Sequence, residues 1–383
     1  MRCKLKDFCT VINGRAYSQK ELLDKGKYRV LRVGNFFSSD RWYFSDLELP
    51  AEKYCNKGDL LFAWACSFGP RIWDGEDRTI FHYHIWKLDI DSAVVDKKYL
   101  YYLLKISVES MTAGTHGSVM MHITKSDMEN FEFDIPTLEV QKKIAAILSA
   151  LDEKIAINRA INENLERQAQ AIYHERFETV SSDALPSDWR IVTLGEVATI
   201  SNKSFNPLKN PEIMLEHYSI PAFDEARFPV FESSASIKSN KFIIDGSCFM
   251  ISKLNPTTKR VWKPYCLTGN AVCSTEFIVY KAMDKSITDF LYSVIDSGSF
   301  SEFMCSHVTG STGSRQRTTP SDTLSYEFIL PSEDKLAEFQ SLVSPMYAQI
   351  RINAIENDKL KRLRDSLLPK LITGEIDVSA VQL

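Results

Sequence analysis

Two stretches of the second half of the chain carry basic side chains with no acid among them. Between Ser252 and Lys263 lie Lys253, Lys259, Arg260 and Lys263, and from Phe303 to Ser321 the only charged residues are Arg315 and Arg317. The second stretch reads Thr-Gly-Ser-Thr-Gly-Ser-Arg-Gln-Arg-Thr-Thr. Guanidinium forks and hydroxyls on a glycine-rich loop have the reach and the donors for phosphates and base edges. A solvated surface loop has the same composition, so the local sequence alone leaves both readings open. The first half has counterparts of different chemistry. Thr115, His116 and Ser118 stand where the Arg315 loop stands in the second half, Lys125 follows them, and Arg29 and Arg32 lie in an apolar stretch near a strand end. Phe81–Trp86 alternates like a half-buried strand, which puts His82 and His84 on one face as a hydrogen-bonded pair rather than as a metal site or a catalytic base.

A catalytic centre is not legible. There is no phosphate loop, no His-Glu-x-x-His and no Asn-Pro-Pro-Tyr type methyltransferase motif; Asn255-Pro256-Thr257 lacks the second proline and the aromatic that would clamp a flipped base. Glu333 and Asp334 sit in a stretch with a nuclease-like look, but as first-turn acids they complement a helix dipole. Eight cysteines with no Cys-x-x-Cys spacing read as reduced thiols, and no metal is expected.

The elements that would position these residues come from a repeat. Pro136 aligns with Pro331 at an offset of 195. The same offset carries Ile144, Leu148, Leu151, Ile155, Asn158, Asn162 and Leu165 onto Phe339, Val343, Met346, Ile350, Asn353, Asn357 and Leu360. The steps alternate between four and three, which is a heptad seam, and both copies interrupt it with asparagine at the same two places. Upstream, Leu5 aligns with Leu194 and Trp73 with Trp262, both at an offset of 189. The order is therefore globule, long helix, globule, long helix, a duplicated pair and not a solenoid. Its expected boundaries are 1–135 and 181–330 for the globules and 136–180 and 331–383 for the helical regions. The expected fold class is α+β: two homologous α/β domains and two long helices pairing as an antiparallel coiled coil. Asn158, Asn162, Asn353 and Asn357 would pin the register, and Pro345 should kink or restart the second helix.

Composition fits two cores: 383 residues with 44% hydrophobic content. The net charge of −4 argues against a general polyanion binder, so any nucleic-acid contact must be local. The first residues form no signal peptide and no apolar run spans a membrane, so a soluble cytoplasmic protein is expected.

The run from Ile135 to Glu166, with Gln141 near its start, closely resembles the central region of type I restriction-modification specificity subunits, and Leu367–Ile376 looks like their carboxyl end. Ser252–Pro256, Arg260-Val-Trp and Cys273–Phe277 are similar to one class of target recognition domain, and Gly58–Phe62 with Gly69–Trp73 to another. The resemblance implies a non-catalytic DNA-reading subunit in which each globule reads half of a split, asymmetric site. The helices would set the gap and dock methyltransferase subunits, two of them by expectation. Translocase-nuclease subunits would complete a restriction enzyme, and S-adenosylmethionine, ATP and magnesium would act on those partners. Two departures stand out: Gln141 is answered by Leu336, and the first globule lacks the Leu185–Trp189 lead-in. A stand-alone DNA-binding regulator and a coiled-coil scaffold are the other classes the residues allow.

Overall fold

Leu60–Ala65 reads Leu-Leu-Phe-Ala-Trp-Ala, with five of its six residues buried, the continuous apolar run expected of a strand covered on both faces. It is central to a four-stranded antiparallel sheet in the order Cys9–Asn13, Ile85–Ile90, Leu60–Ala65, Ser67–Ile72, with Leu88 opposite both Val11 and Leu60. A second sheet runs Tyr43–Ser45, Tyr28–Leu31, Thr79–Phe81, Tyr54–Cys55, and its Tyr28–Leu31 and Thr79–Phe81 strands are parallel. The helix Lys97–Thr112 buries Tyr99, Leu100, Leu103 and Leu104 in the core behind the first sheet. The computed structural model describes residues 1–37, 41–112, 122–181, 185–309 and 316–381. These elements belong to a compact unit made of Met1–Glu153 and Leu360–Leu383; Lys154–Lys359 form the other.

The second unit repeats the topology. One sheet runs Ala198–Ile200, Phe277–Ala282, Cys248–Ser252, Val261–Trp262. The other runs Val230–Ser233, Met214–Tyr218, Ala271–Ser274, Lys241–Ile243 and then Ser204–Phe205, a strand with no counterpart in the first unit's sheet. Met214–Tyr218 and Ala271–Ser274 again form the parallel pair. Trp73 and Trp262 are both buried.

The expected strand through His82 and His84 does not form. Thr79–Phe81 and Ile85–Ile90 lie in different sheets, and residues 82–84 make the turn by which the chain changes sheet. Gly14 and Arg15 clamp that turn through bonds from Gly14 N to Ile85 O, Arg15 N to Phe81 O and Tyr83 N to Arg15 O. Gly14 is required by contact: a Cβ there would lie 2.3 Å from the His82 carbonyl oxygen. The two histidines still touch, with rings 4.9 Å apart.

The long helices are Leu138–Tyr173, continued by a π-turn over His174–Glu178, and Glu333–Ile372. Their first residues keep the offset of 195. At 36 and 40 residues they measure roughly 54 and 60 Å along their axes at ~1.5 Å per residue. The second ends where Gly374, in the left-handed region at φ +76°, turns the chain so that Ile376 N returns to Lys370 O. Pro345 does not restart the helix, which is continuous from Glu333 to Ile372. The proline removes one donor to Ser341 O, while Phe339, Val343 and Tyr347 on the same face are buried in the second unit's core and hold the turns on either side.

Within the second unit, Asn158 donates to Glu356 (2.7 Å) and Asn357 (2.9 Å), and Asn353 donates to Asn162 (2.8 Å). Numbers rise along one helix as they fall along the other, so the pairing is antiparallel. Within the first unit Asp152 pairs with Arg364, and Leu148 shares a core with Leu368 and Leu371, the same sense.

Candidate nucleic-acid interface

In the second unit the end of Cys248–Ser252 is tied to distant segments by backbone bonds, with the Ser252 hydroxyl bracing the turn at Leu254. Lys253 N donates to Glu276 O (2.9 Å), and Thr318 N donates to Lys253 O (3.2 Å). A bridge joins Leu254 to Arg317. Asn255 then turns in the left-handed region at φ +48°, a conformation asparagine tolerates better than most residues, and its N–H donates to Gln316 O (2.9 Å). Lys253 and Arg317, far apart in sequence, are thereby neighbours. Arg317 forks onto Glu276 through Nε (3.0 Å) and Nη2 (2.9 Å), which holds the Glu276 carboxyl below the usual carboxylate range and fixes the guanidinium plane. The arginine side chain remains 42% exposed.

The first unit builds the same frame from other side chains. Trp64 N donates to His84 O (3.1 Å), Ile123 N donates to Trp64 O (3.2 Å), and a bridge joins Ala65 to His122. Cys66 takes the left-handed turn at φ +69°. Trp64, Ala65 and Cys66 correspond to Lys253, Leu254 and Asn255 at the offset of 189, His84 to Glu276 at 192, and His122 to Arg317 at 195. Where the second unit has ions, the first has rings. The indole of Trp64 donates Nε1 to Tyr83 O (2.7 Å) and receives the edges of His84 (5.2 Å) and His122 (6.4 Å). Burial, reinforced by the charge of Arg32, holds His84 below its ordinary value. His82 is driven down to about 4, by burial first and then by His84 and Arg32.

The remaining candidate residues divide between the sheets and the helices. Arg29 lies over Trp42 (5.3 Å) and pairs with Glu76 (3.1 Å), and Arg32 lies over Tyr43 (5.1 Å). Lys125 begins the short helix Lys125–Asn130 and pairs with Glu129 one turn on (3.4 Å). The Ser252–Lys263 segment has no acid of its own, yet three of its four cations meet acids from elsewhere. Lys259 pairs with Asp296 (2.7 Å), Arg260 makes a two-pronged pair with Asp224 (2.6 and 2.9 Å), and Lys263 pairs with Asp289 under the ring of Tyr347. Lys263 lines a cleft of about 510 Å³ with Trp262, Tyr292 and Arg351. Lys253 is the member of that segment that shares the frame with Arg317. Thr115, His116, Ser118 and Arg315 lie outside the described residues. Glu276, Trp64, His84 and His122, which complete the two frames, did not stand out as candidate binding residues in the sequence. The repeat offsets, carried past the tryptophans to the ends of the central strands, would have found them.

Among the described residues no group of three or more His, Cys, Asp and Glu side chains is gathered as a metal site, and no helix is long and apolar enough to cross a membrane.

Residues 1–167 match the family described as type I restriction modification DNA specificity domain. The chain is 27% identical to the type I restriction enzyme MjaIX specificity subunit of Methanocaldococcus jannaschii, over 74% of this chain and 70% of that one. To the HindI specificity subunit of Haemophilus influenzae it is 23% identical, over 86% and 89%. The crystal structure of a type I restriction-modification system S subunit from M. genitalium has the same fold, with a TM-score of 0.58 at 18% identity over 97% of this chain and 95% of that one. With a duplicated domain and two heptad helices paired antiparallel, the chain carries over residues 1–167 a type I restriction modification DNA specificity domain, and along most of its length it is similar to type I restriction enzyme specificity subunits.

Proposed function

We infer that each unit reads one half of a bipartite, asymmetric DNA site, that the paired helices fix the gap between the halves, and that the same helices dock methyltransferase subunits. The observation that carries this reading is the duplicated frame. One backbone arrangement, built twice, presents a carboxylate-held arginine in one copy and an indole with two imidazoles in the other, and unlike readers imply unlike half-sites. Of the residues first singled out, Arg29, Arg32, Thr115, His116, Ser118 and Lys125 belong to one reader. Lys253, Arg260, Lys263, Arg315 and Arg317 belong to the other, with Arg260 and Lys263 positioning neighbouring elements through their acid partners. Asn158, Asn162, Asn353 and Asn357 set the helix register.

The chain brings no chemistry of its own to the reaction. We assign S-adenosylmethionine to methyltransferase partners, two by expectation, and ATP and magnesium to restriction subunits, with the whole complex acting on DNA in the cytoplasm. Single-molecule methylation mapping of host DNA, with the gene intact and deleted, tests this. One split motif, methylated at both halves across a fixed gap and lost on deletion, is the expected result. Unchanged methylation together with salt-dependent DNA binding and no copurifying methyltransferase would replace this reading with that of a stand-alone regulator.

A further inference from the structure

We propose that two trios at equivalent places in the duplicated frame are the specificity-determining residues of the two half-sites: Lys253, Glu276 and Arg317 for one, Trp64, His84 and His122 for the other. This rests on the reading of the chain as a two-headed DNA reader and goes beyond it in naming the positions and the chemistry of each head.

The two frames match in backbone and differ in side chains. Both trios are tied by the same two amide bonds and the same bridge, and in both the first member leads into a left-handed turn. The parts of the copies that only build structure stay alike, as the buried Trp73 and Trp262 do. At the trio positions all three residues change class. In each copy the side chains are partly or fully exposed, so the change is presented outward and not absorbed by a core.

The second trio has hydrogen-bonding groups suited to a G·C pair. A guanidinium can fork onto guanine O6 and N7, and a carboxylate can accept from cytosine N4. The two bonds from Arg317 to Glu276 set the plane of the fork before DNA arrives, which lowers the ordering cost of binding. The first trio presents an aromatic face. The indole N–H of Trp64 is already committed to Tyr83 O and the ring is stacked on Trp86 (5.5 Å), so the exposed part of the indole, flanked by the two imidazoles, is left to make apolar contact of the kind a thymine methyl offers.

The test is methylation mapping in cells whose complete complex carries Arg317→Ala, Glu276→Gln or His122→Ala in this chain. Arg317→Ala is expected to relax one G·C position in one half-site by roughly 5- to 150-fold, the range of one bidentate base contact, with the other half unchanged. Glu276→Gln should alter that same half, and His122→Ala should relax the opposite half. Relaxation of the same half by both sets overturns the assignment. So does a uniform loss of methylation with an unchanged motif, which marks phosphate contacts. Melting temperature and copurification with the methyltransferase are recorded for each variant. If Arg317→Ala fails to assemble, Arg317→Lys, which keeps the charge and loses the fork, decides the point: an altered motif supports the proposal and an unaltered one overturns it. Absence of any bipartite motif with the unsubstituted chain would instead remove the underlying reading.

Discussion

The two units solve one packing problem with different polar parts. Where the first long helix meets the first unit, Asp152 accepts from Tyr102 (2.6 Å) and pairs with Arg364. At the matching place in the second unit the phenol is on the helix instead, as Tyr347, and its partner is Ser293 (2.7 Å). Near the helix starts, Gln141 is fully buried and satisfied, donating to Val94 O (3.1 Å) and Pro136 O (3.0 Å) and accepting from Asp96 N (2.9 Å), whereas its counterpart Leu336 simply joins the core. The apolar spacing has been kept in both copies because it determines which face of each element is buried. Buried polar groups have been exchanged freely, provided that each arrives with its partner.

The largest test of this comparison removes apolar bulk. Phe339 is fully buried among Tyr173, Phe177 and Phe290, and Phe339→Ala should cost about 3–5 kcal/mol; Ile144→Ala, at the equivalent seam position, should cost about 2–5 kcal/mol. Hydrogen exchange should show protection lost within the substituted unit, and equal loss in both would break the idea of two separately cored copies. Next comes Arg364→Ala. The arginine side chain is 13% exposed, and losing it strands Asp152 with a single phenol, for about 1–3 kcal/mol in urea unfolding. Tyr347→Phe, which removes one bond and leaves the Ser293 hydroxyl donating to Asp289 O (3.0 Å), should cost about 1 kcal/mol.

A smaller effect follows from pH. The folded first unit keeps His82 neutral down to about 4, while in the unfolded chain it protonates near its ordinary 6.5. Stability is therefore complete above pH 6.5 and falls between 6.5 and 4, by about 1 kcal/mol once solvent screening is allowed for. Thermal melts should show the fall, and His82→Gln should flatten it. The decline in the second unit, where burial holds His217 below its ordinary value, should persist in that variant. Smallest is Asn158→Leu. Asn158 Oδ1 is buried without a partner among the described residues, so leucine should stabilise the helix pair, by less than about 1 kcal/mol, while loosening its register. Lower stability with unchanged methylation spacing would refute the register role.

Much of this architecture could be read from residue spacing. Pro136 and Pro331 mark the helix starts within two residues, and the heptad with its two asparagines announces the antiparallel seam. Less legible was anything decided by partners distant in sequence. The Ser252–Lys263 cations look free in sequence because Asp224, Asp289 and Asp296 lie outside the segment. Alternation through Phe81–Trp86 continues across a change of sheet, since period two does not say which sheet a strand joins. Pro345 has its ordinary local effect, the loss of one bond, and the buried side chains around it outweigh that loss.

The frame beneath each trio is tied by amide and carbonyl groups, which every residue but proline supplies in full. Side chains there can drift without unfolding the domain, so point mutation explores new recognition chemistry at little risk to abundance. A protein built this way can change what its side chains present at these two places while the backbone beneath them is kept.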